Sequence, residues 1–199
     1  MSIQKINPKL VVLVIIMLAV AAIRIPNSAQ MTPISNFTPI GAMGLFGGAY
    51  FSKSWKAMLF PLLTLLISDL LIQYFVFHGK YGILYGGWYY IYAGFLLISF
   101  IGKWMITKVT ITRVLSAAIV ASLTHWAIAD FSVWLGGGID LRTMQPLSRD
   151  WAGLLQTYVQ GFPFMKNFLM GTLACSGIMF GIFEWYSKRE TKQANALAQ

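Results

Sequence analysis

The stretch that decides the fold lies at residues 57–77 and reads AMLFPLLTLLISDLLIQYFVF. Its one charged side chain is Asp69. An α-helix of about 20 apolar residues rises far enough to cross ~30 Å of hydrocarbon. Five further apolar stretches are each bounded by charge, proline or glycine: residues 9–25, 37–51, 82–101, 114–135 and 162–186. The sequence therefore predicts six membrane-crossing helices.

The composition agrees with a protein that has the bilayer as its solvent. Of 199 residues, 57% are hydrophobic and 11% are charged, and the mean hydropathy is +0.66. These values exclude an ordinary soluble domain. We predict one all-α transmembrane domain at residues 1–188 and a polar cytoplasmic tail at 189–199. The net charge of +9 does not predict nucleic-acid binding, because the basic residues lie between the apolar stretches and not on a soluble element.

The basic residues predict the orientation, because Lys and Arg beside membrane spans stay in the cytoplasm. With six spans and both termini cytoplasmic, ten of them lie inside: Lys5, Lys9, Lys53, Lys56, Lys103, Lys108, Arg113, Lys188, Arg189 and Lys192. Five lie outside: Arg24, Lys80, Arg142, Arg149 and Lys166. We therefore predict a multi-pass protein of the cell (inner) membrane.

Two of the six stretches have features that are unusual for a span. The second is short and contains Gly41, Gly44, Gly47 and Gly48. We predict that these glycines form a small-residue helix face on which another backbone packs closely. The first stretch has an alternative interpretation as a signal peptide, since Lys5 precedes it and residues 27–29 resemble a cleavage site.

A long connection follows the fifth stretch, from the triple glycine at 136–138 to Gln160. Within it, residues 148–151 resemble a helix start, and Trp151, Leu154 and Tyr158 repeat at helical spacing. We predict a short amphipathic helix on the outer surface. It is either a lid over a site or an interfacial anchor.

Polar groups inside the spans concentrate at one depth. Ionisable side chains in a membrane are costly and usually face the bundle interior or water. When each residue is placed by the direction of its span, the polar and aromatic side chains reach the outer half: Arg24, Asn36, Thr38, Asp69, Gln73, Trp88, Tyr89, Tyr92, His125, Asp130, Trp134, Lys166 and Asn167. This asymmetry predicts a ligand pocket open to the outside and not a pore through the membrane.

Structural roles compete with ligand binding for these residues. Trp and Tyr collect at membrane interfaces without any ligand. Asp69 is also suited to a purely structural ion pair with Arg24 or Lys166, and a single His125 suits packing better than metal binding. The predicted ligand-binding residues are Asn36, Thr38, Asp69, Trp88, Tyr92, His125, Asp130, Trp134 and Asn167, with Arg24 and Lys166 as charge-pairing residues.

Signatures of enzymes and cofactor-binding proteins are absent from the sequence. It contains no phosphate-binding Gly-Lys-Ser loop, nucleophile elbow, zinc-binding His-Glu-x-x-His or dinucleotide glycine fingerprint. We therefore expect no enzyme activity, no catalytic residues, no cofactor and no metal. Movement of a substrate against a gradient would need energy from another protein.

Several segments resemble an uncharacterised bacterial family of six-span membrane proteins, described as a domain of unknown function. The resemblance covers nearly the whole chain. It is carried by NFTPIGAM at 36–43, LFGGAYF at 45–51, PL at 61–62, SDL at 68–70, DFSVWL at 130–135, FPFMKN at 162–167 and FGIFE at 180–184.

More distantly, the six-span layout, the Thr-Pro-rich entry to the second span and the Ser-Asp pair in the third resemble the substrate-binding S components of energy-coupling factor (ECF) transporters. That resemblance implies an ECF S-component-like bundle that captures a vitamin or another micronutrient from outside. It also implies a partner, a transmembrane scaffold protein with cytoplasmic ATPases. The alternative is a membrane assembly or interaction protein without transport activity, which would bind its partner through the small-residue second span.

Overall fold

The protein is mostly helical in the computed structural model, which describes residues 18–20, 22–25, 33–51 and 53–197. Residues 18–20 and 22–25 are helical. The helices that follow, with a short hairpin between the last two, are α1 (Ile40–Tyr50), α2 (Ser54–Phe75), α3 (Trp88–Met105), α4 (Ile111–Leu135), β1 (Ile139–Asp140), β2 (Gln145–Pro146) and α5 (Trp151–Leu197).

Among the described residues, three helical segments are long and apolar enough to cross a membrane: Trp55–Phe75, Ile111–Leu135 and Trp151–Arg189. They correspond to the predicted third, fifth and sixth spans. α3, at the predicted fourth span, has 18 residues. Most of the predicted first span, the signal-peptide alternative and residues 26–32 of the loop after it lie outside the described residues.

α1 is much shorter than the second span that the sequence predicts. Its 11 residues rise about 16 Å, roughly half of the hydrocarbon thickness. Every residue of α1 except Phe46 is buried, and the helix packs against α2, α3, α4 and α5. A helix that is apolar on all sides belongs in the interior of a bundle. α1 is therefore the core around which the other helices are arranged.

The glycines of α1 give it close contact with its neighbours. A Cβ atom at Gly48 would lie 2.1 Å from the carbonyl oxygen of Ser99 on α3. In the reverse direction, a Cβ atom at Gly102 of α3 would lie 2.4 Å from the carbonyl oxygen of Leu45 on α1. A Cβ atom at Gly41 would lie 2.3 Å from Oγ1 of Thr172 on α5. The predicted small-residue face is confirmed. Its contacts lie inside this chain, however, and not on an outer surface.

α5 differs from the prediction at both of its ends. The sequence predicts a separate surface helix at 148–160, but α5 runs from Trp151 through Pro163 to Leu197 without interruption. The separate helix is therefore wrong, because the helical backbone continues through Pro163 even though a proline has no N–H to donate within the helix. The helix also includes most of the predicted polar tail. The connection before it is shorter than predicted and contains an antiparallel hairpin, in which Ile139 pairs with Pro146.

One end of the bundle is filled by aromatic side chains. Phe46 and Tyr50 of α1 meet Phe180 and Phe183 of α5, and the centroids of the Tyr50 and Phe183 rings are 4.3 Å apart. The buried Tyr50 hydroxyl donates a hydrogen bond of 2.5 Å to Glu184. Aromatic rings thus fill this end of the bundle.

Candidate functional site

A cavity of about 820 Å³ lies at the end of the bundle opposite the aromatic cluster. Its walls come from the loop before α1, the middle of α2, the start of α3, the end of α4, the hairpin and the first part of α5. This volume is within the range of roughly 300–1,000 Å³ that small-molecule sites have.

The walls are formed largely by aromatic and aliphatic side chains. Phe164 and Phe168 of α5 and Phe95 of α3 contribute rings. The His125 ring stacks on Phe168 with 4.4 Å between centroids and 19° between planes. This arrangement makes His125 part of an aromatic wall, with faces against which a planar ligand can stack.

Arg24 and Asp69 form an ion pair beside the cavity. Nη2 of Arg24 lies 2.9 Å from Oδ1 of Asp69, and the Asp69 side chain is only 3% exposed. Nη1 of Arg24 donates to the Ser68 hydroxyl. The Tyr92 hydroxyl donates to Oδ2 of Asp69 at 3.2 Å, and the Tyr85 hydroxyl also bonds to this carboxylate. Arg24 and Tyr85 line the cavity, whereas Asp69 lies behind them and holds them in place.

Asp130, near the end of α4, is the acidic residue that lines the cavity directly. Its carboxyl group lies against Gly161 of α5, where a Cβ atom would be 1.8 Å from Oδ2. Oδ2 of Asp130 and Nε1 of Trp126 are both buried, and the Trp126 indole donates to the Asp130 carboxyl group. The glycine at 161 is therefore what allows a carboxyl group to occupy this part of the wall.

The loop before α1 forms another part of the wall. Asn36 lines the cavity with φ of 68°, in the left-handed region that Asn tolerates better than most side chains. Asn167 of α5 donates hydrogen bonds from Nδ2 to the carbonyl oxygens of Pro33 at 2.8 Å and Ser35 at 2.9 Å. Asn167 therefore positions the loop that carries Asn36 and Thr38.

The hairpin covers the cavity on the side of α4 and α5, through Ile139 and Leu141. Gln160 of α5 fastens it: Nε2 donates to the carbonyl oxygen of Ile139 at 2.9 Å, and Oε1 accepts from the Leu141 amide at 3.2 Å. Nη1 of Arg149 donates to the carbonyl oxygens of Trp134 and Leu135, each at 2.8 Å. These bonds also satisfy carbonyl groups at the end of α4.

Asp150 fixes the start of α5. Its Oδ1 accepts hydrogen bonds from the Gly153 amide at 2.8 Å and from the Ser148 hydroxyl at 2.7 Å. The bond from the Gly153 amide is the main reason that the pKa of Asp150 lies below its usual range.

The structure places the predicted site residues in three groups. Arg24, Asn36, Thr38, His125 and Asp130 line the cavity. Asp69, Tyr92 and Asn167 lie behind the wall and position groups that line it.

The other three predicted residues lie away from the wall. Trp88 packs edge-to-face on Tyr92, and Nε1 of Trp134 donates to the Ser148 carbonyl oxygen at 2.9 Å, which anchors the loop. Lys166 is exposed and forms no ion pair with a described residue. Among the residues that the structure describes, no three His, Cys, Asp or Glu side chains are grouped so that they could hold a metal ion.

The sequence interpretation missed several wall residues that helical spacing would have found. On α5, Thr157, Gly161, Phe164 and Phe168 line the cavity and follow one another at intervals of three or four residues, which places them on one helix face. The sequence pattern was searched for polar and amphipathic residues. The face of α5 that lines the cavity consists mainly of Phe and Gly and was therefore missed. Tyr85 was missed because it precedes α3 in an irregular segment beside Gly86 and Gly87.

In a comparison with known proteins, this chain matches one protein family. A family of unknown function, DUF6580, matches residues 4–195. No curated protein sequence and no solved structure matches the chain.

Proposed function

We propose that this chain, which belongs to the DUF6580 family of unknown function, is the ligand-binding membrane subunit of an uptake transporter for a small nutrient. The nutrient is a vitamin or another micronutrient with a flat or aromatic portion. The subunit acts in the manner of an ECF S component and has no enzyme activity of its own.

The cavity of about 820 Å³ is the observation that carries this proposal. It combines aromatic faces with a few polar groups, which is the usual composition of a small-molecule site. Aromatic side chains fill the opposite end of the bundle. This packing supports a binding site with a single mouth rather than a continuous channel. A ligand would enter from the end at which α4 and the hairpin meet.

In the membrane, we place this mouth on the outer side of the cell membrane, with six crossings and both termini in the cytoplasm. The larger number of Lys and Arg residues at the opposite end of the spans supports this orientation. α1 alone is too short to cross, so the second crossing includes the irregular segment at 33–39. Irregular backbone at membrane depth is tolerated where it lines a cavity inside the protein.

Energy for uptake would come from a partner, because the sequence lacks a phosphate-binding loop. We propose a transmembrane scaffold protein that carries cytoplasmic ATPases. The basic residues near the cytoplasmic ends of the spans and the cytoplasmic part of α5 are the regions available to it.

The first experiment asks whether the cavity binds a small molecule. The protein is purified in mild detergent, its bound small molecules are identified by mass spectrometry, and a vitamin panel is screened by thermal shift. Ala129 lines the cavity, so Ala129→Phe should abolish both the bound molecule and the shift. Ala127 on the same helix is exposed, so Ala127→Phe should preserve them. Absence of any bound molecule and of any shift in the unmodified protein would overturn the proposal.

The second experiment separates transport from a role in assembly. Uptake of the identified molecule into cells is measured with and without ATP depletion, and stoichiometric partners are isolated from native membranes. ATP-dependent uptake and ATPase-containing partners are expected. One stoichiometric partner without ATPase subunits, together with no uptake, would support an assembly protein. The glycines of α1 that would bind such a partner pack against Ala57, Ser99 and Thr172 of this chain, which reduces the surface available for that role.

A further inference from the structure

Not every ionisable group that lines the cavity is paired with a group of opposite charge. Its lining includes three ionisable groups other than Tyr85, namely Arg24, His125 and Asp130. The guanidinium of Arg24 is already paired with Asp69 at 2.9 Å, so this pair contributes no net charge when both groups are ionised. The ring of His125 is stacked on Phe168. Among the described lining residues, Asp130 is therefore the carboxyl group without a basic side chain opposite it.

The carboxyl group of Asp130 is also partly removed from water. Its Oδ2 is buried against Gly161, and the indole of Trp126 donates to the carboxyl group. A carboxylate that is partly removed from water is costly to keep charged when no cation pairs with it. A ligand that brings a positive charge to Asp130 would therefore offset part of this cost.

The neighbouring walls are suited to a positively charged group with an attached ring. Aromatic faces attract cations as well as flat apolar groups, and Phe95, Phe164 and Phe168 line the same cavity as Asp130. An inorganic divalent cation fits less well, because it requires several oxygen ligands, and the described residues contain no group of three His, Cys, Asp or Glu side chains at metal-binding spacing.

We propose that the ligand is a small organic cation with a planar ring, whose positively charged N–H group donates to the Asp130 carboxyl group while its ring lies against the His125–Phe168 wall. This inference rests on the proposed function and names the class of its ligand. Gly161 is part of the same site, because any side chain at 161 would displace the Asp130 carboxyl group.

The test uses three probes that share an indole ring and differ in charge: tryptamine, tryptophol and indole-3-acetate. Their binding to the full-length purified protein is measured by isothermal titration. Tryptamine should bind more tightly than tryptophol, and indole-3-acetate should bind most weakly. In Asp130→Asn, tryptamine should lose its advantage over tryptophol, a change of roughly 10- to 100-fold for a hydrogen bond to a charged group. Tryptophol binding should change little.

Asp150→Asn is the matched control, because it removes one negative charge outside the cavity lining and Asn remains a good helix cap. It should leave the order of the probes unchanged. The inference is overturned if tryptamine does not bind, if tryptophol or indole-3-acetate binds equally well, or if Asp130→Asn retains the preference for tryptamine. A neutral or anionic molecule extracted from the purified protein would overturn the inference while leaving the proposed function intact. Failure of the proposed function has a different signature, which is the absence of any extracted or stabilising small molecule.

Discussion

The guanidinium of Arg24 contacts the carboxylate of Asp69 at 2.9 Å and connects the N-terminal helical segment to α2 beside the cavity. Asp69 is buried and also accepts a hydrogen bond from the Tyr92 hydroxyl at 3.2 Å. The cavity wall thus depends on a charge pair that joins sequence positions 24 and 69. A buried pair of this kind is expected to be most sensitive to the loss of one partner.

We expect Arg24→Met to lower the free energy of unfolding by about 3 kcal/mol, because it leaves a buried carboxylate without its cation. Adding Asp69→Asn should restore more than half of this loss, since the amide carries no charge and still accepts from Tyr92. Thermal and denaturant unfolding of the single and double variants in micelles form a double-mutant cycle. Simple addition of the two effects would show that the pair does not contribute to stability.

Gly48→Ala should destabilise the bundle by roughly 2 kcal/mol, because the added methyl group meets backbone and cannot be accommodated by a side-chain rotation. The atoms it would approach are the Ser99 carbonyl oxygen and the Lys103 nitrogen, at 2.1 and 2.8 Å. Gly177→Ala is the matched control, because no atom lies within 4 Å of a Cβ atom there. The control should be neutral or stabilising by up to about 1 kcal/mol. Thermal midpoints would test this, and equal midpoints for the two variants would contradict close packing of α1 on α3.

Gln160→Leu should loosen the hairpin, because it removes the two hydrogen bonds to Ile139 and Leu141 while preserving most of the side-chain volume. Each such bond contributes roughly 0.5–1.5 kcal/mol, so hydrogen exchange of the amides at 139–147 should accelerate roughly fivefold or more. Gln156→Leu, one turn earlier on α5, should leave exchange unchanged. If hairpin exchange is the same in both variants, Gln160 does not hold the hairpin over the cavity.

Asp150 should contribute stability above the pKa of an unfolded Asp, and this contribution should be lost as the pH falls through the lower pKa of the folded protein. The direction follows because hydrogen bonds from Gly153 and Ser148 stabilise the charged form and depress the pKa in the folded state. The thermal midpoint of the unmodified protein should fall more between about pH 5 and pH 3 than that of Asp150→Asn, since model Asp titrates near 3.9. Parallel pH profiles would exclude this role for Asp150.

Local properties of the sequence were sufficient to predict the class of the fold. The stretches at 57–77, 114–135 and 162–186 were identified from length and hydrophobicity, and they correspond to the three segments in the described part of the chain that are long and apolar enough to cross a membrane. Prediction succeeded there because a helix in lipid satisfies its backbone hydrogen bonds within itself and needs only a long apolar run. The six-span count and the orientation stay predictions.

The candidate site was predictable only in part, and the reason lies in the direction of the side chains. Depth along each span placed Arg24, Asn36, His125 and Asp130 at one end of the protein, where the cavity is found. Depth does not specify which way a side chain faces around its helix. Trp88 and Trp134, at a similar depth, therefore contact Tyr92 and Ser148 and do not line the cavity.

The sequence by itself determined that this is a mostly helical protein suited to a membrane, because hydrophobicity and helix length are properties of single segments. Tertiary structure alone decided that α1 is a short central helix, that α5 continues through Pro163, and that the carboxyl group of Asp130 faces Gly161. These features depend on contacts between residues far apart in the chain. Asp69 shows the difference most directly: its charge was evident in the sequence, but its pairing with Arg24 required the packing of two separate segments.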